Sequence, residues 1–195
     1  MTILAMGDST TAGTPAFRSP VEAPPDGKGN EQSQYTTWAE RLLPGRRFLN
    51  RGVNGERTNQ ILRRLQADLK ELRPDAVVLL AGVNDLYQGY PLEQIEENLD
   101  KMYRLVQEQG IPLIACTIIP YNGMSPYDYQ RMREVNEWIR KRSQELGLGF
   151  CDLFSVMEDP ARPSYLVSTS DGLHPDVDGY RRMGEAVAKA VLEQA

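Results

Sequence analysis

The sequence predicts an α/β fold in which a mainly parallel, five-stranded sheet is covered by helices on both faces. Short apolar runs alternate along the chain with longer segments whose apolar residues recur every three or four positions. Several short runs are apolar at consecutive positions, which is typical of strands buried on both faces. With 195 residues, of which 41% are hydrophobic and 25% charged, the chain is predicted to form one domain over residues 1–195.

The first strand and the first long helix are separated by a polar segment. Thr2–Met6 is a short apolar run that ends at Gly7, which indicates a buried strand. Residues 14–34 are rich in proline, glycine and polar types and are predicted to form a long loop. A helix is expected over Tyr35–Leu43, and Arg47–Asn50 is the predicted second strand. The loop is therefore interpreted as an insertion within one sheet.

The middle of the chain has the clearest helix and strand patterns. Apolar residues recur on one helical face before Pro74, and Thr58 or Asn59 is expected to cap this helix. The apolar positions are Ile61, Leu62, Leu65, Leu69 and Leu72. Ala76–Ala81 is apolar throughout, as a central strand of a parallel sheet should be.

Three more helices and two more strands complete the predicted alternation. Pro91 suits the first turn of a helix that ends near Gly110. The remaining elements are the strand Ile111–Ile119, the helix Tyr129–Leu146, the strand Leu148–Leu153 and the helix Val177–Leu192. Because strands and helices alternate, the crossovers are expected to be right-handed.

Composition and charge argue against several classes of protein. The net charge is −5, and no cluster of lysine and arginine offers a basic face for nucleic acid. No apolar run approaches the ~20 residues that span a bilayer. The N-terminus lacks the basic lead and long apolar stretch of a signal peptide. We therefore expect a cytoplasmic protein with no membrane span, whose partner is a small molecule.

The two cysteines and the single histidine limit the covalent and metal chemistry that is expected. Cys116 and Cys151 lie in apolar runs and are predicted to be buried thiols rather than a disulfide. No cluster of cysteine and histidine has the spacing of a metal site. The sequence therefore predicts neither a disulfide nor a bound metal.

Polar turns that contain glycine follow four of the predicted strands. Ligands bind beyond the carboxyl ends of the strands in an open parallel sheet, so these turns should meet at one edge. The turns are Gly7-Asp8-Ser9, Asn50-Arg51-Gly52-Val53-Asn54-Gly55, Gly82-Val83-Asn84-Asp85 and Asp171-Gly172-Leu173-His174-Pro175. Each alone is compatible with an ordinary turn, helix cap or surface loop. Their shared placement favours a functional site.

The residue types in these turns fit acyl transfer. A serine hydroxyl is a weak nucleophile until a base takes its proton, and His174 is the only imidazole in the chain. Asp171 could orient that ring and stabilise its charged form. The N–H groups of Ser9 and Gly55 and the side-chain amide of Asn84 are candidate donors to an oxyanion. Activity is then expected to fall in acid as the imidazole is protonated.

Over nearly its whole length the chain resembles the SGNH hydrolases, also called the GDSL lipase/esterase family. The turn that contains Ser9 matches the family's nucleophile block, and the turn that ends at Gly55 is similar to the second block. The turn that contains Asn84 matches the third block, and the segment from Asp171 to His174 matches the Asp-x-x-His block. The resemblance implies a flavodoxin-like, three-layer α/β/α sandwich with strand order 2-1-3-4-5.

The resemblance also implies a role for each matching residue. Ser9 is implied as the nucleophile, Asp171 and His174 as the acid and base, and Gly55 and Asn84 as oxyanion donors beside the Ser9 N–H. Thr10 replaces the leucine usual after the nucleophile, and Glu56-Arg57-Thr58 stands where Asp-Thr is frequent. No role of that aspartate is therefore transferred to this chain.

These residues predict a serine esterase that hydrolyses short-acyl or carbohydrate acetyl esters through an acyl-enzyme on Ser9, without a cofactor. The entrance is expected to be lined by the loops at 14–34, 120–128 and 160–170. Aromatic residues in or near these loops either contact the substrate or pack the loops onto the body. They are Tyr87, Tyr90, Tyr121 and Tyr127.

Two alternatives to this prediction stay open at the level of sequence. One is a lysophospholipase or thioesterase with a longer acyl groove. The other is a non-catalytic, flavodoxin-like module that binds a phosphorylated ligand or flavin, since glycine-containing turns at helix N-termini suit anions. The chain lacks the phosphate-binding patterns Gly-Lys-Ser/Thr and Gly-x-Gly-x-x-Gly, which argues against this module.

Overall fold

A computed structural model describes residues 1–13 and 31–194 and contains one five-stranded sheet. The strand order is β2-β1-β3-β4-β5, and all neighbouring strands are parallel. The strands are β1 (Thr2–Gly7), β2 (Arg47–Gly52), β3 (Ala76–Leu80), β4 (Leu113–Cys116) and β5 (Gly149–Cys151). This confirms the predicted sheet and the strand order that the resemblance implies.

Helices cover both faces of this sheet. In chain order they are α1 (Ser9–Ala12), α2 (Tyr35–Leu42), α3 (Thr58–Leu72), α4 (Val83–Tyr87), α5 (Leu92–Gln107), α6 (Pro126–Leu146), α7 (Leu153–Met157) and α8 (Val177–Glu193). Helices α2, α7 and α8 contribute to one apolar core, whereas α3, α4, α5 and α6 contribute to the other. Among the described residues, no helix combines the length and apolar character needed to cross a bilayer.

The two cores follow from the alternation of side chains along the strands. Ile3 and Ala5 of β1 belong to one core, and Leu4 and Met6 belong to the other. All four side chains are fully buried, which explains why β1 is apolar at consecutive positions. The central strands therefore lie between two helical layers, and the fold is the three-layer α/β/α sandwich expected.

Two of the predicted strands are shorter than expected. β4 ends at Cys116, although the apolar residues Ile118 and Ile119 follow Thr117, and β5 covers only Gly149–Cys151. The N–H and C=O groups of Ile118 bond the side chain of Asn136 instead of a neighbouring strand. An apolar run reports burial and does not distinguish a strand from a buried loop, so the predicted boundary of β4 was wrong.

Helix boundaries also differ from the predictions. Arg57, rather than Thr58 or Asn59, is the N-cap of α3, because the Thr58 N–H and hydroxyl both donate to Asp85. Helix α6 begins at Pro126, before the predicted Tyr129, with the preceding serine as its side-chain cap. The sequence interpretation did not include α1, α4 or α7. All three have only four or five residues, too few to show a helical period.

The structure describes only the end of the predicted loop at 14–34, whereas it describes both predicted thiols. Residues 14–30 of the loop lie outside the described residues. Glu31–Ser33 form a short 3-10 turn rather than irregular loop. Cys116 and Cys151 are opposite each other on β4 and β5, buried and not joined by a disulfide, as predicted.

Candidate active site

The carboxyl ends of β1, β2 and β3 bring three of the polar turns together. Gly7, the last residue of β1, is paired with Gly52 of β2 and with Leu80 of β3. The turns that follow these residues therefore begin at the same level of the sheet. This is the arrangement predicted from the sequence, and it places Ser9, Gly55 and Asn84 around one cavity.

The serine lies at the start of a short helix that is packed closely against the sheet. The Asp8 side chain caps α1 by accepting the Thr10 N–H at 2.9 Å, and Ser9 is the first residue of that helix. A Cβ at Gly7 would overlap the Thr11 hydroxyl and approach the Leu80 carbonyl. Only glycine therefore lets α1 begin this close to β3, and the serine is held at the sheet edge.

His174 lies within hydrogen-bonding distance of this serine. The Ser9 Oγ and the His174 Nε2 are 3.1 Å apart, although the two residues are separated by 165 positions in the chain. The His174 side chain is 20% exposed, so its ring is largely enclosed while one edge stays open to the cavity. The Thr169 hydroxyl donates to the His174 carbonyl at 2.6 Å, which fixes the backbone that carries the ring.

Asp171 holds the other side of the imidazole. Its Oδ2 lies 2.9 Å from the His174 Nδ1, and its Oδ1 accepts the N–H groups of Leu173 and His174 at 2.8 Å. Partial burial acts to raise the pKa of Asp171, but the hydrogen bonds from His174 and Leu173 outweigh it and lower the pKa to about 2. The carboxylate is therefore ionised at any ordinary pH. An acceptor at Nδ1 favours the tautomer whose Nε2 can accept the serine proton.

The loop that carries Asp171 and His174 is braced by the segment after β4. The Asn122 N–H donates to the Gly172 carbonyl at 2.7 Å, and the Asn122 side chain accepts the Leu166 N–H at 2.9 Å. This loop follows α7, a helix that the sequence interpretation had included in the connection after β5. Asn122 is 44 residues before Leu166 and 50 residues before Gly172, and no sequence motif indicates either contact.

Two candidate oxyanion donors line the cavity near the serine. Gly55 has φ of +75°, which a side chain would strain, and it lies in the turn before α3 rather than in the helix itself. No acceptor among the described residues takes the Gly55 N–H. The Asn84 Nδ2 donates one hydrogen to the Glu56 carbonyl at 2.8 Å, which orients the amide and leaves its second hydrogen for a ligand.

The cavity beside the serine has a volume of about 350 Å³. Its described lining residues are Ser9, Thr10, Asn54, Gly55, Val83, Asn84, Tyr87, Tyr121, Leu173 and His174. The rings of Tyr87 and Tyr121 meet edge to face, with their centroids 5.6 Å apart. None of the described lining residues is an aspartate, glutamate, lysine or arginine. The site therefore has a polar reaction centre beside an apolar and aromatic wall.

Only two of the four tyrosines predicted at the entrance belong to this cavity. Tyr87 is 65% exposed at the rim, whereas Tyr121 is 6% exposed and packs beneath it. The Tyr90 hydroxyl accepts a hydrogen bond from Arg57, and Tyr127 lines a separate surface groove. Of the loops predicted to form the entrance, 120–128 contributes Tyr121, and 160–170 contributes no described lining residue.

Two further carboxylates, Asp8 and Asp85, lie buried near Ser9 and were not assigned from the sequence. Burial raises the pKa of Asp8 to about 7; the Asp85 charge adds to this, and hydrogen bonds from Thr10 oppose it. Burial also raises the pKa of Asp85, and the hydrogen bonds from Thr58 offset part of this effect. The bonds between Thr58 and Asp85 join the start of α3 to α4, which carries Asn84. Within the described residues, no group of histidine, cysteine and carboxylate side chains is arranged to hold a metal.

Several known proteins with similar sequences or structures are named as esterases or thioesterases. An arylesterase of Vibrio mimicus is 26% identical over 98% of this chain and 88% of that protein. The thioesterase 1/protease 1/lysophospholipase L1 of Escherichia coli K12 is 25% identical over 96% of this chain and 82% of the relative. The structure of Est24, a carbohydrate acetylesterase from Sinorhizobium meliloti, superposes with a TM-score of 0.76 at 19% identity and covers 98% of both chains.

The family match covers most of the structure described above. The GDSL-like Lipase/Acylhydrolase family matches residues 5–182, from the middle of β1 into α8. The match therefore includes the serine turn, both turns with candidate oxyanion donors and the loop that carries the histidine. This chain belongs to the GDSL-like lipase/acylhydrolase family, and it is an enzyme that hydrolyses ester bonds.

Proposed function

We propose that the protein is a serine esterase that cleaves short-acyl esters of uncharged alcohols through an acyl-enzyme on Ser9. The observation that carries this proposal is the continuous contact from serine to histidine to aspartate. The Ser9 Oγ is 3.1 Å from the His174 Nε2, and the His174 Nδ1 is 2.9 Å from the Asp171 Oδ2. Such a sequence of contacts can remove the hydroxyl proton and stabilise the imidazolium that results.

The first half-reaction transfers the acyl group to the enzyme. The Ser9 proton moves to the His174 Nε2 while the Oγ attacks the ester carbonyl carbon. The carbonyl oxygen becomes an oxyanion, which the N–H groups of Ser9 and Gly55 and the Asn84 amide stabilise by hydrogen bonds. When the intermediate collapses, the alcohol oxygen leaves and takes the proton from Nε2. The acyl group remains on Ser9 as an ester.

The second half-reaction releases the acid. A water molecule gives one proton to the His174 Nε2 and attacks the acyl carbon from the side that the alcohol has left. The same donors stabilise the second oxyanion. Collapse breaks the bond to the Ser9 Oγ, which recovers its proton from Nε2. The balance is one ester and one water converted to one acid and one alcohol.

The size and lining of the cavity support a small, uncharged substrate. A volume of about 350 Å³ is near the lower end of ligand pockets, which run from ~300 to 1,000 Å³. No described lining residue is a lysine or arginine that would pair with the phosphate of a lysophospholipid. The Tyr87 ring at the rim offers a face to an aryl or sugar alcohol. These features favour acetyl or similar esters of aryl or carbohydrate alcohols.

The names of the relatives indicate two substrate classes that an experiment has to separate. An arylesterase and a lysophospholipase match the chain at similar identity, so sequence similarity does not separate the two substrate classes. Membership of an esterase family argues against the non-catalytic binding module that the sequence left open.

A panel of esters measured with two variants tests this proposal. The panel contains p-nitrophenyl esters from acetate to palmitate, acetylated xylose and lysophosphatidylcholine. We expect the highest kcat/KM for acetate and butyrate, and little turnover of palmitate or lysophosphatidylcholine. Ser9→Ala should lower kcat on the order of 10⁴–10⁶-fold, because it removes the nucleophile. Ser155→Ala, an exposed serine on α7 outside the cavity, is the matched control and should keep full activity.

Two results would contradict different parts of the proposal. Undiminished hydrolysis by Ser9→Ala would refute the acyl-enzyme mechanism. A maximum at palmitate or lysophosphatidylcholine, lost in Ser9→Ala, would keep the mechanism and replace the substrate class by the longer-chain alternative.

A further inference from the structure

Arg64 connects the strands and the turn that surround the candidate site, although it does not line the cavity. The side chain extends from α3 and is 16% exposed. Its Nη1 donates to the Arg51 carbonyl near the end of β2 at 2.7 Å, and its Nη2 donates to the Gly7 carbonyl at the end of β1 at 3.3 Å. One guanidinium therefore bonds the main chain of both strands where the polar turns begin.

The same guanidinium holds the turn that contains Gly55. The Nε and Nη2 of Arg64 donate to the Glu56 Oε2 at 3.0 and 2.7 Å, and the Glu56 side chain is 15% exposed. Glu56 directly follows Gly55, and its carbonyl accepts the Asn84 amide at 2.8 Å. Charge-assisted hydrogen bonds of this kind are shorter and stronger than bonds between neutral groups, and solvent ions screen them less when they are largely buried. The position of Glu56 therefore affects two donors at once.

These contacts join one cation to the segments that carry Ser9, Gly55 and Asn84. Gly7 is two residues before Ser9, Glu56 adjoins Gly55, and the Glu56 carbonyl orients Asn84. Oxyanion stabilisation depends on donors that are fixed before the reaction, and a misplacement of about 1 Å can cost ~10²-fold in rate. We propose that Arg64 is a positioning residue that fixes the oxyanion donors relative to the Ser9 hydroxyl.

This inference rests on the proposed function. It assigns a part in that function to a side chain that does not line the cavity. Arginine suits the role because its planar group presents five donors in fixed directions, so it can bond acceptors from separate elements simultaneously. Lysine has one ammonium group on a flexible stem and cannot hold Gly7, Arg51 and Glu56 in the same geometry. A change from arginine to lysine at this position is therefore informative even though the charge is kept.

A variant of Arg51 is the matched control for a purely structural role of Arg64. The Arg51 side chain pairs with Asp68 through two bonds of 2.9 and 2.7 Å, and Arg64 also approaches Asp68 at 3.5 Å. Arg51→Met removes a partly buried ion pair in the same region and leaves the main-chain carbonyl of residue 51 in place. It therefore tests the loss of an ion pair separately from the loss of the contacts to Gly7 and Glu56.

The experiment compares Arg64→Met, Arg64→Lys, Glu56→Gln and Arg51→Met with p-nitrophenyl acetate, together with the thermal unfolding midpoint of each. We expect both Arg64 variants to lower kcat about 10- to 100-fold with KM changed less than about threefold, since the donors act on the transition state. Glu56→Gln should lower kcat less, because a neutral amide can still accept one bond from Arg64. Arg51→Met should lower the midpoint and keep kcat within about twofold of the unmodified protein.

A double-mutant cycle with Asn84 decides whether Arg64 acts through the oxyanion donors. If it does, Arg64→Lys should cost less in an Asn84→Ala background than alone, because part of its effect passes through that amide. The inference would be overturned if the kcat losses of Arg64→Lys and Asn84→Ala simply multiply in the double variant. Normal kcat in Arg64→Lys would also overturn it, as would an equal loss of kcat in Arg51→Met. If Arg64→Met does not fold, Arg64→Lys and Glu56→Gln answer the same question. Failure of the proposed function itself would appear separately, as activity in Ser9→Ala.

Discussion

At the scale of the residue, Asp171 supports the loop and contacts the imidazole with different oxygens. Its Oδ1 accepts the N–H groups of Leu173 and His174, while its Oδ2 contacts the His174 Nδ1. The pKa of about 2 keeps both oxygens available as acceptors throughout the pH range in which proteins are studied. Any loss of activity in weak acid would therefore come from protonation of another group.

Because the two oxygens of Asp171 have different partners, Asp171→Asn should affect them differently. The amide oxygen can replace the Oδ1 as acceptor, but the amide nitrogen would then donate to the His174 Nδ1. That contact favours the tautomer with a proton on Nε2, which cannot accept the serine proton. We expect kcat to fall on the order of 10²–10⁴-fold, with little change in the thermal unfolding midpoint. Steady-state kinetics and thermal unfolding of the purified variant measure both quantities, and near-normal kcat would show that Asp171 does not set the tautomer.

At the scale of the element, the backbone of β2 lies directly against the backbone of α1 at Gly52. A Cβ at Gly52 would overlap the backbone nitrogen of Ala12 and would crowd its Cα. No side-chain rotation can relieve an overlap between backbone atoms, so α1 would have to move. Since Ser9 is the first residue of α1, the position of Ser9 depends on a glycine in β2.

We therefore expect Gly52→Ala to affect stability and activity together. The free energy of unfolding should fall by about 3 kcal/mol, the upper part of the range for overpacked sites, and kcat should fall as Ser9 is displaced. Gly110→Ala is the control, because Gly110 has φ of +68° and open space around the added Cβ. It should lose about 1 kcal/mol from backbone strain and keep normal kcat. Urea denaturation and steady-state kinetics of both variants test this, and equal effects on kcat would argue against a specific contact with α1.

At the scale of the whole molecule, the stability of the fold is coupled to pH through a buried carboxylate that directly precedes Ser9. Asp8 is 1% exposed, and burial raises its pKa to about 7 from an ordinary value of 3.8. A raised pKa means that the folded protein holds a proton that the unfolded chain releases. Asp8 by itself therefore favours the folded state most below pH 4, and its contribution is lost as the pH rises from about 4 to about 7.

Asp8→Asn should remove this pH dependence. Asparagine keeps an oxygen that can accept the Thr10 N–H, and it carries no charge to bury. We expect the variant to be more stable than the unmodified protein at pH 8, by on the order of 4 kcal/mol, and equally stable at pH 4. Urea denaturation at pH values from 4 to 8 measures the difference.

The control for this prediction is a carboxylate with a shift of opposite sign. Asp178 is partly exposed on α8, where hydrogen bonds from Arg181 and Arg182 lower its pKa. Asp178→Asn should gain no stability at pH 8. A constant difference between Asp8→Asn and the unmodified protein from pH 4 to pH 8 would show that Asp8 has an ordinary pKa in the folded state.

Regular elements could be predicted because each one repeats a local pattern. The fully buried residues of β3 form a continuous apolar run, and α3 repeats apolar residues at helical spacing, so both were located from sequence. Helices α1, α4 and α7 were not, because four or five residues span little more than one turn. The end of β4 was wrong because the Asn136 side chain, distant in sequence, replaces strand pairing at Ile118.

The sequence by itself determined the sheet, its core and the four turns that meet at its carboxyl edge. It did so because hydrophobic period and turn chemistry are local properties, and because parallel strands place their carboxyl ends together. Only the tertiary structure decided the 3.1 Å contact between Ser9 and His174, and the contacts by which Arg64 joins Gly7 to Glu56. These depend on side-chain directions across as many as 165 residues, and no local pattern in the chain encodes such distances.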